Sequence, residues 1–172
     1  MQRHIVITRY LTTIGQFTEV YRPNVVQSAA FALSNLARGQ GANTSILMEA
    51  GIVPLLLKHL VITKDNMAVL SEVAWVLTYL AARKEHEPAL VSEGIIPKLV
   101  DLLVQLSKQK PHHAQAVTPL LRCLGNICSG PDEYSAMATE NGTLMPALHL
   151  YLNSDHRHIK KETLWVLTNM TG

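Results

Sequence analysis

The sequence predicts an all-α chain, a right-handed superhelical solenoid of about four units with three helices each. Three observations carry this. The composition, 48% apolar and 16% charged, is that of a packed chain rather than a disordered one. Four segments repeat one another at nearly constant spacing. A second repeated phrase, built on a glycine and a proline, falls between them. Together they mark a period of about 40–47 residues, the length of a stacked helical repeat.

The first series is AAFALSNLARG (Ala29–Gly39), EVAWVLTYLAA (Glu72–Ala82), LLRCLGNICSG (Leu120–Gly130) and TLWVLTNMTG (Thr163–Gly172). Its equivalent positions Asn35, Tyr79, Asn126 and Asn169 lie 44, 47 and 43 residues apart. The second series is SILMEAGIVPLLLKHL, ALVSEGIIPKLVDLL and AMATENGTLMPALHLYL, with Gly51, Gly94 and Gly142 ahead of Pro54, Pro97 and Pro146.

Each unit reads as follows. A short helix ends at the glycine, which permits a left-handed turn. Proline enters the first turn of the second helix, where its missing N–H costs nothing. That helix turns Leu55, Leu56, Leu57 and Leu60, or Leu99, Leu102 and Leu103, toward the core. After a polar break, a long third helix runs through the aromatic and the asparagine. The units fall at 1–39, 40–83, 84–130 and 131–172. The first lacks its start, with a second helix expected at His4–Phe17 and the break at Thr18–Asn24. The third carries a longer internal loop around SKQKPHHAQA (Ser107–Ala116). Neither end looks capped. Leu164, Val166, Leu167 and Met170 of the last helix would lack a covering repeat, so the chain reads as a piece of a longer array or one that self-associates through its ends.

Several function classes are excluded by what is missing. Net charge is +2 with basic residues scattered, so no nucleic-acid surface is expected. No run of about 18 apolar residues would span a membrane. Cys123 and Cys128 fit no zinc spacing and read as small buried hydrophobes in a reducing compartment, cytoplasm or nucleus. His112–His113 and the His156/His158 pair read as solvated loop residues. The sequons at Asn43, Asn141 and Asn169 read as chance matches. No catalytic motif, cofactor site or metal site is apparent, so no enzyme is expected.

The glycine–proline phrase, three times, and the long helix with its aromatic and asparagine positions, four times, fall in register and resemble the armadillo repeat, and within it the importin-alpha type. That resemblance covers nearly the whole chain. It implies a concave groove lined by third helices. Tryptophans there stack on the lysine stems of a basic peptide, the following asparagines bond its backbone, and acidic groups meet its ammoniums. Carried over by position, Trp165 with Asn169 is complete. Trp75 is paired with Tyr79, Phe31 stands before Asn35, and Arg122 stands before Asn126. The acidic position is met by Glu72 and Glu162, but is Ser28 and Pro119 in the other two units.

Arg122 should interrupt a lysine track, since a tryptophan face attracts a cation by about 0.5–2 kcal/mol and an arginine in the same row repels one. Trp75 and Trp165 read as groove-facing because Val73, Val76, Leu77 and Leu80, or Leu164, Leu167 and Met170, already fill the opposite side. A core position is the alternative. The asparagines could instead bond backbone near the helix end.

The expected function is a protein-binding module that holds an extended peptide segment, a basic nuclear localisation signal being the partner the resemblance implies, in a nuclear-import adaptor. The alternative is a scaffold that binds proteins through its surfaces, with the groove vestigial.

Overall fold

The structure is a computed structural model that describes residues 23–39 and 41–171. The helix expected at His4–Phe17 lies outside the described residues. The described chain is helical throughout. The elements are α1 (Pro23–Arg38), α2 (Gly41–Glu49), α3 (Ile52–His59), α4 (Met67–Ala81), a 3-10 turn at Lys84–His86, α5 (Glu87–Ser92), α6 (Ile95–Ser107), α7 (Ala114–Cys128), α8 (Asp132–Thr139), α9 (Leu144–Leu152) and α10 (Arg157–Thr171).

Backbone chemistry sets the short–medium–long rhythm. Gly51, Gly94 and Gly142 have φ of 69°, 82° and 69°, a left-handed conformation that costs a residue with a Cβ about 1–2 kcal/mol. Each turns a short helix into the next, and Pro54, Pro97 and Pro146 then sit in the first turn of α3, α6 and α9. The break before α4 is organised by Asn66. Its Oδ1 accepts from the Thr63 N–H at 3.0 Å, and its Nδ2 donates to Val61 O at 2.8 Å. In the third unit, α6 runs 13 residues against eight in α3 and nine in α9.

The long helices form a row: α1 packs on α4, α4 on α7 and α7 on α10, while α6, α9 and α3 back them. One continuous core runs from Val26 through Leu77, Leu99, Leu103 and Leu124 to Val166. Cys123 and Cys128 are buried in it. Burial holds both thiols protonated, with Cys128 pushed up to about 11. Of the apolar residues on α10 expected to lack cover, Val166 is fully buried and Leu167 and Met170 are half-buried, whereas Leu164 is 57% exposed. Ile159 and Thr163 take the core positions instead.

Polar side chains stitch neighbouring units together. Pro119 lies inside α7 and offers no N–H to Gln115 O, four residues back. The Ser71 hydroxyl on α4 donates to that carbonyl at 2.8 Å. Thr78 Oγ1, also on α4, lies 2.9 Å from Pro119 O. The Tyr151 hydroxyl on α9 donates to Leu103 O on α6 at 2.7 Å.

His112 departs from its expected place in solvent. It is buried, with Nδ1 2.9 Å from Ser154 Oγ and Nε2 3.3 Å from Ser107 O. Its ring meets Tyr151 edge-on at 5.0 Å. The polar segment folds back and places an imidazole in a niche that satisfies both its nitrogens.

Candidate functional site: a groove across the third helices

Three open clefts run along the row of long helices, and the first shares a wall with each of the other two. One of about 370 Å³ lies between α1 and α4 and is lined by Phe31, Asn35, Arg38, Glu72, Trp75 and Tyr79. One of about 590 Å³ shares Glu72 and Trp75 and extends to Thr118, His156 and Arg157. One of about 460 Å³ shares Tyr79 and reaches Arg122, Asn126, Lys161, Glu162 and Trp165. Nine of the ten residues singled out from the sequence therefore line a common face. Asn169, the tenth, reaches across from α10 to the α7 backbone.

The aromatics are on this face. Trp75 is half-buried and stacks on Tyr79, ring centroids 5.9 Å apart with planes 24° from parallel. Val73, Val76, Leu77 and Leu80 fill the far side of α4 and are buried. Trp165 is 37% exposed. Its ring lies over the backbone of α7 at Gly125, where an added Cβ would come within 2.5 Å of Cζ3 and 2.6 Å of Cε3. Gly125 was not singled out from the sequence. A lone glycine inside a helical pattern was the available signal, since it commonly marks a close approach.

The asparagines behave in two ways. Asn126 Nδ2 donates to Thr78 O on the preceding long helix at 3.0 Å, and Asn169 Nδ2 donates to Gly125 O at 2.9 Å. Asn35 instead donates to Phe31 O of its own helix at 3.0 Å and accepts from Arg38 at 3.1 Å. The bonds of Asn126 and Asn169 reach across units rather than to nearby backbone. They use one N–H of each amide, and an amide also carries a second N–H and a carbonyl oxygen.

The two acidic residues differ. Glu162 is almost wholly buried, its side chain 5% exposed against 42% for Arg122. Arg122 donates to it through Nε, at 3.0 Å to Oε2, and through Nη2 to Oε1. This fork spans two units and holds the guanidinium firmly charged, raised first by its hydrogen bond to Glu162. Glu72 lies half-buried at the wall shared by two clefts. Burial pushes its carboxyl above the usual range, opposed in part by the Ser34 hydroxyl.

Comparison with known proteins places this geometry. The Armadillo/beta-catenin-like repeat family model matches residues 42–82. An engineered protein of known crystal structure superposes with a TM-score of 0.77 at 26% identity, over 94% of this chain and 62% of that one. A designed armadillo repeat protein, solved in complex with the peptide (KR)4, superposes with a TM-score of 0.75 at 22% identity, over 94% of this chain and 62% of that one. The fold is thus the armadillo-repeat solenoid, and residues 42–82 match the armadillo repeat itself.

Within that class it is similar to the importin alpha subunits. Importin subunit alpha-9 of Arabidopsis thaliana is 33% identical over 157 residues, 87% of this chain and 29% of that protein. Importin subunit alpha-1a of Oryza sativa subsp. japonica is 28% identical over 163 residues, 94% of this chain and 29% of that protein. The chain thus spans less than a third of the length of these relatives. No helix among the described residues is long and apolar enough to cross a membrane.

Proposed function

We propose that this chain is a non-enzymatic protein-binding module that holds an extended peptide segment along α1, α4, α7 and α10, and that it acts in the cytoplasm or nucleus as an adaptor in the manner of its importin-alpha relatives. One observation carries this reading. Trp75, Tyr79, Asn126 and Trp165 line clefts that share walls across successive units. An extended chain presents an N–H and a C=O at every residue. Asn126 and Asn169 each retain a donor and an acceptor to meet them, and indole faces take up the apolar stems of side chains.

The test is titration of labelled extended peptides, followed by anisotropy. Trp165→Ala and Asn169→Ala should each weaken binding, about tenfold for a groove contact of hot-spot quality, with the unfolding transition still cooperative. Loss of stability with every affinity unchanged would contradict the reading.

A second reading has specific support. The Arg122–Glu162 fork and the Trp75–Tyr79 stack occupy groove positions with contacts internal to the chain. A scaffold that binds folded partners through its outer helices, or itself through Leu164 on α10, would leave the groove closed in that way. Under that reading Leu164→Lys alters oligomeric state in sedimentation, and Trp165→Ala alters no partner.

A further inference from the structure

We infer that the groove selects an extended segment carrying an acidic side chain, aspartate or glutamate, where it crosses α7 and α10, and rejects lysine-rich segments at that place. The inference rests on the groove reading above and names its ligand class.

The charges on the groove walls are unequal. The three clefts present four fixed cations, Arg38, Arg122, Arg157 and Lys161, against two carboxylates, Glu72 and Glu162. Glu162 is engaged through both oxygens by Arg122 and is nearly inaccessible. Glu72 lines the other two clefts and not the one that holds Arg122 and Lys161, and burial weakens its hold on negative charge.

A lysine laid on the Trp165 face would enter the cleft that holds Arg122 and Lys161 and find no free carboxylate there. Drawing Glu162 away to meet it would strand the Arg122 guanidinium beside a second cation. An incoming carboxylate meets the opposite situation. Arg122 has five N–H groups. Two go to Glu162, and the side chain is still 42% exposed. Lys161 is exposed and makes no ion pair among the described residues. The two can converge on one carboxylate while Asn126 and Trp165 hold the segment that carries it.

The experiment compares three labelled peptides of equal length: alternating lysine and arginine, glutamate at those same positions, and serine with glycine. Each is titrated against the wild-type chain, Lys161→Glu, Trp165→Ala and Asn169→Ala. The glutamate peptide should bind about tenfold tighter than the lysine–arginine peptide at low ionic strength, with the margin shrinking as salt is added. Lys161→Glu, at an exposed unpaired position, should erase most of that margin without changing the melting temperature.

Tighter binding of the lysine–arginine peptide, or equal binding of all three, overturns the inference. The groove reading survives either result if Trp165→Ala still weakens binding. Binding that ignores both Trp165→Ala and Asn169→Ala overturns the groove reading and the inference together. A single-stranded oligonucleotide that displaces the glutamate peptide at equal charge concentration marks a generic polyanion surface and also overturns it.

Discussion

The Trp165 ring rests on the α7 backbone so closely that a Cβ on Gly125 would come within 2.5 Å of it. Gly125 is thus a seat for the indole, and Asn169 on the next turn of α10 donates to its carbonyl at 2.9 Å. One glycine therefore positions both members of the complete Trp–Asn pair.

Gly125→Ala should accordingly lower stability. Helix propensity alone would favour alanine by about 1 kcal/mol, whereas overpacking against the ring costs about 1–3 kcal/mol. The expected net is a loss, with altered Trp165 emission. In the Trp165→Ala background the same substitution should become stabilising. Thermal unfolding of the four chains in this cycle measures the coupling.

Arg122→Leu should cost about 1–3 kcal/mol, since it strands the buried Glu162 carboxylate while the arginine itself is partly solvated. Arg122→Gln with Glu162→Gln should recover most of the loss, because both charges leave together. Denaturant unfolding of the single and double variants checks this. Equal losses in both would mean that the pair acts through packing alone.

The sequence carried much of the fold in two local signals. Gly51, Gly94 and Gly142 announce the left-handed turns, and Pro54, Pro97 and Pro146 announce the helices that follow. Such signals act within a few residues and need no partner. The groove face was legible for the same reason, since Trp75 and Tyr79 lie on the side of α4 that its aliphatic residues leave free. The Arg122–Glu162 fork joins residues 40 apart. Charge alone does not say whether an arginine meets a ligand or its own chain. His112 was misread because its neighbours are polar, while its burial depends on Ser154 and Tyr151 in the next unit. Leu164 was assigned to the core face of α10, which Ile159, Thr163 and Val166 occupy instead.

Ser71 and Pro119 should be coupled. Ser71→Ala leaves Gln115 O without either its helical partner or its hydroxyl donor, at a cost of about 1 kcal/mol. In a Pro119→Ala background the restored N–H can take up that carbonyl, and the same substitution should cost less. A double-mutant cycle by chemical denaturation reads the difference. Additive effects would mean that the hydroxyl does not substitute for the missing N–H.

Stability should fall on acidification through a histidine. Burial lowers His112 from its ordinary 6.5, opposed by its bond to Ser107 O and by Asp155, and assisted by Lys110 and His156. The folded state therefore binds its proton more weakly than the unfolded chain does. The stabilisation is present above about pH 6.5 and drains away as pH drops toward the lowered folded value. His59, lowered by burial and by Lys58, acts in the same direction. His112→Gln should flatten the fall in melting temperature between about pH 7.5 and pH 5.5. An unchanged slope would assign the acid sensitivity elsewhere.

The central claim is that the row of long helices is where a partner's chain lies. Its most direct test is the nuclear magnetic resonance of the Asn126 and Asn169 side-chain amides and the Trp165 indole N–H during titration with the glutamate peptide, or with whichever extended peptide binds. These signals should move together and saturate with the binding curve while the backbone amides of α5 and α8 stay in place. Shifts confined to α5, α8 and α9, with the Asn126, Asn169 and Trp165 signals unmoved at saturation, would contradict it.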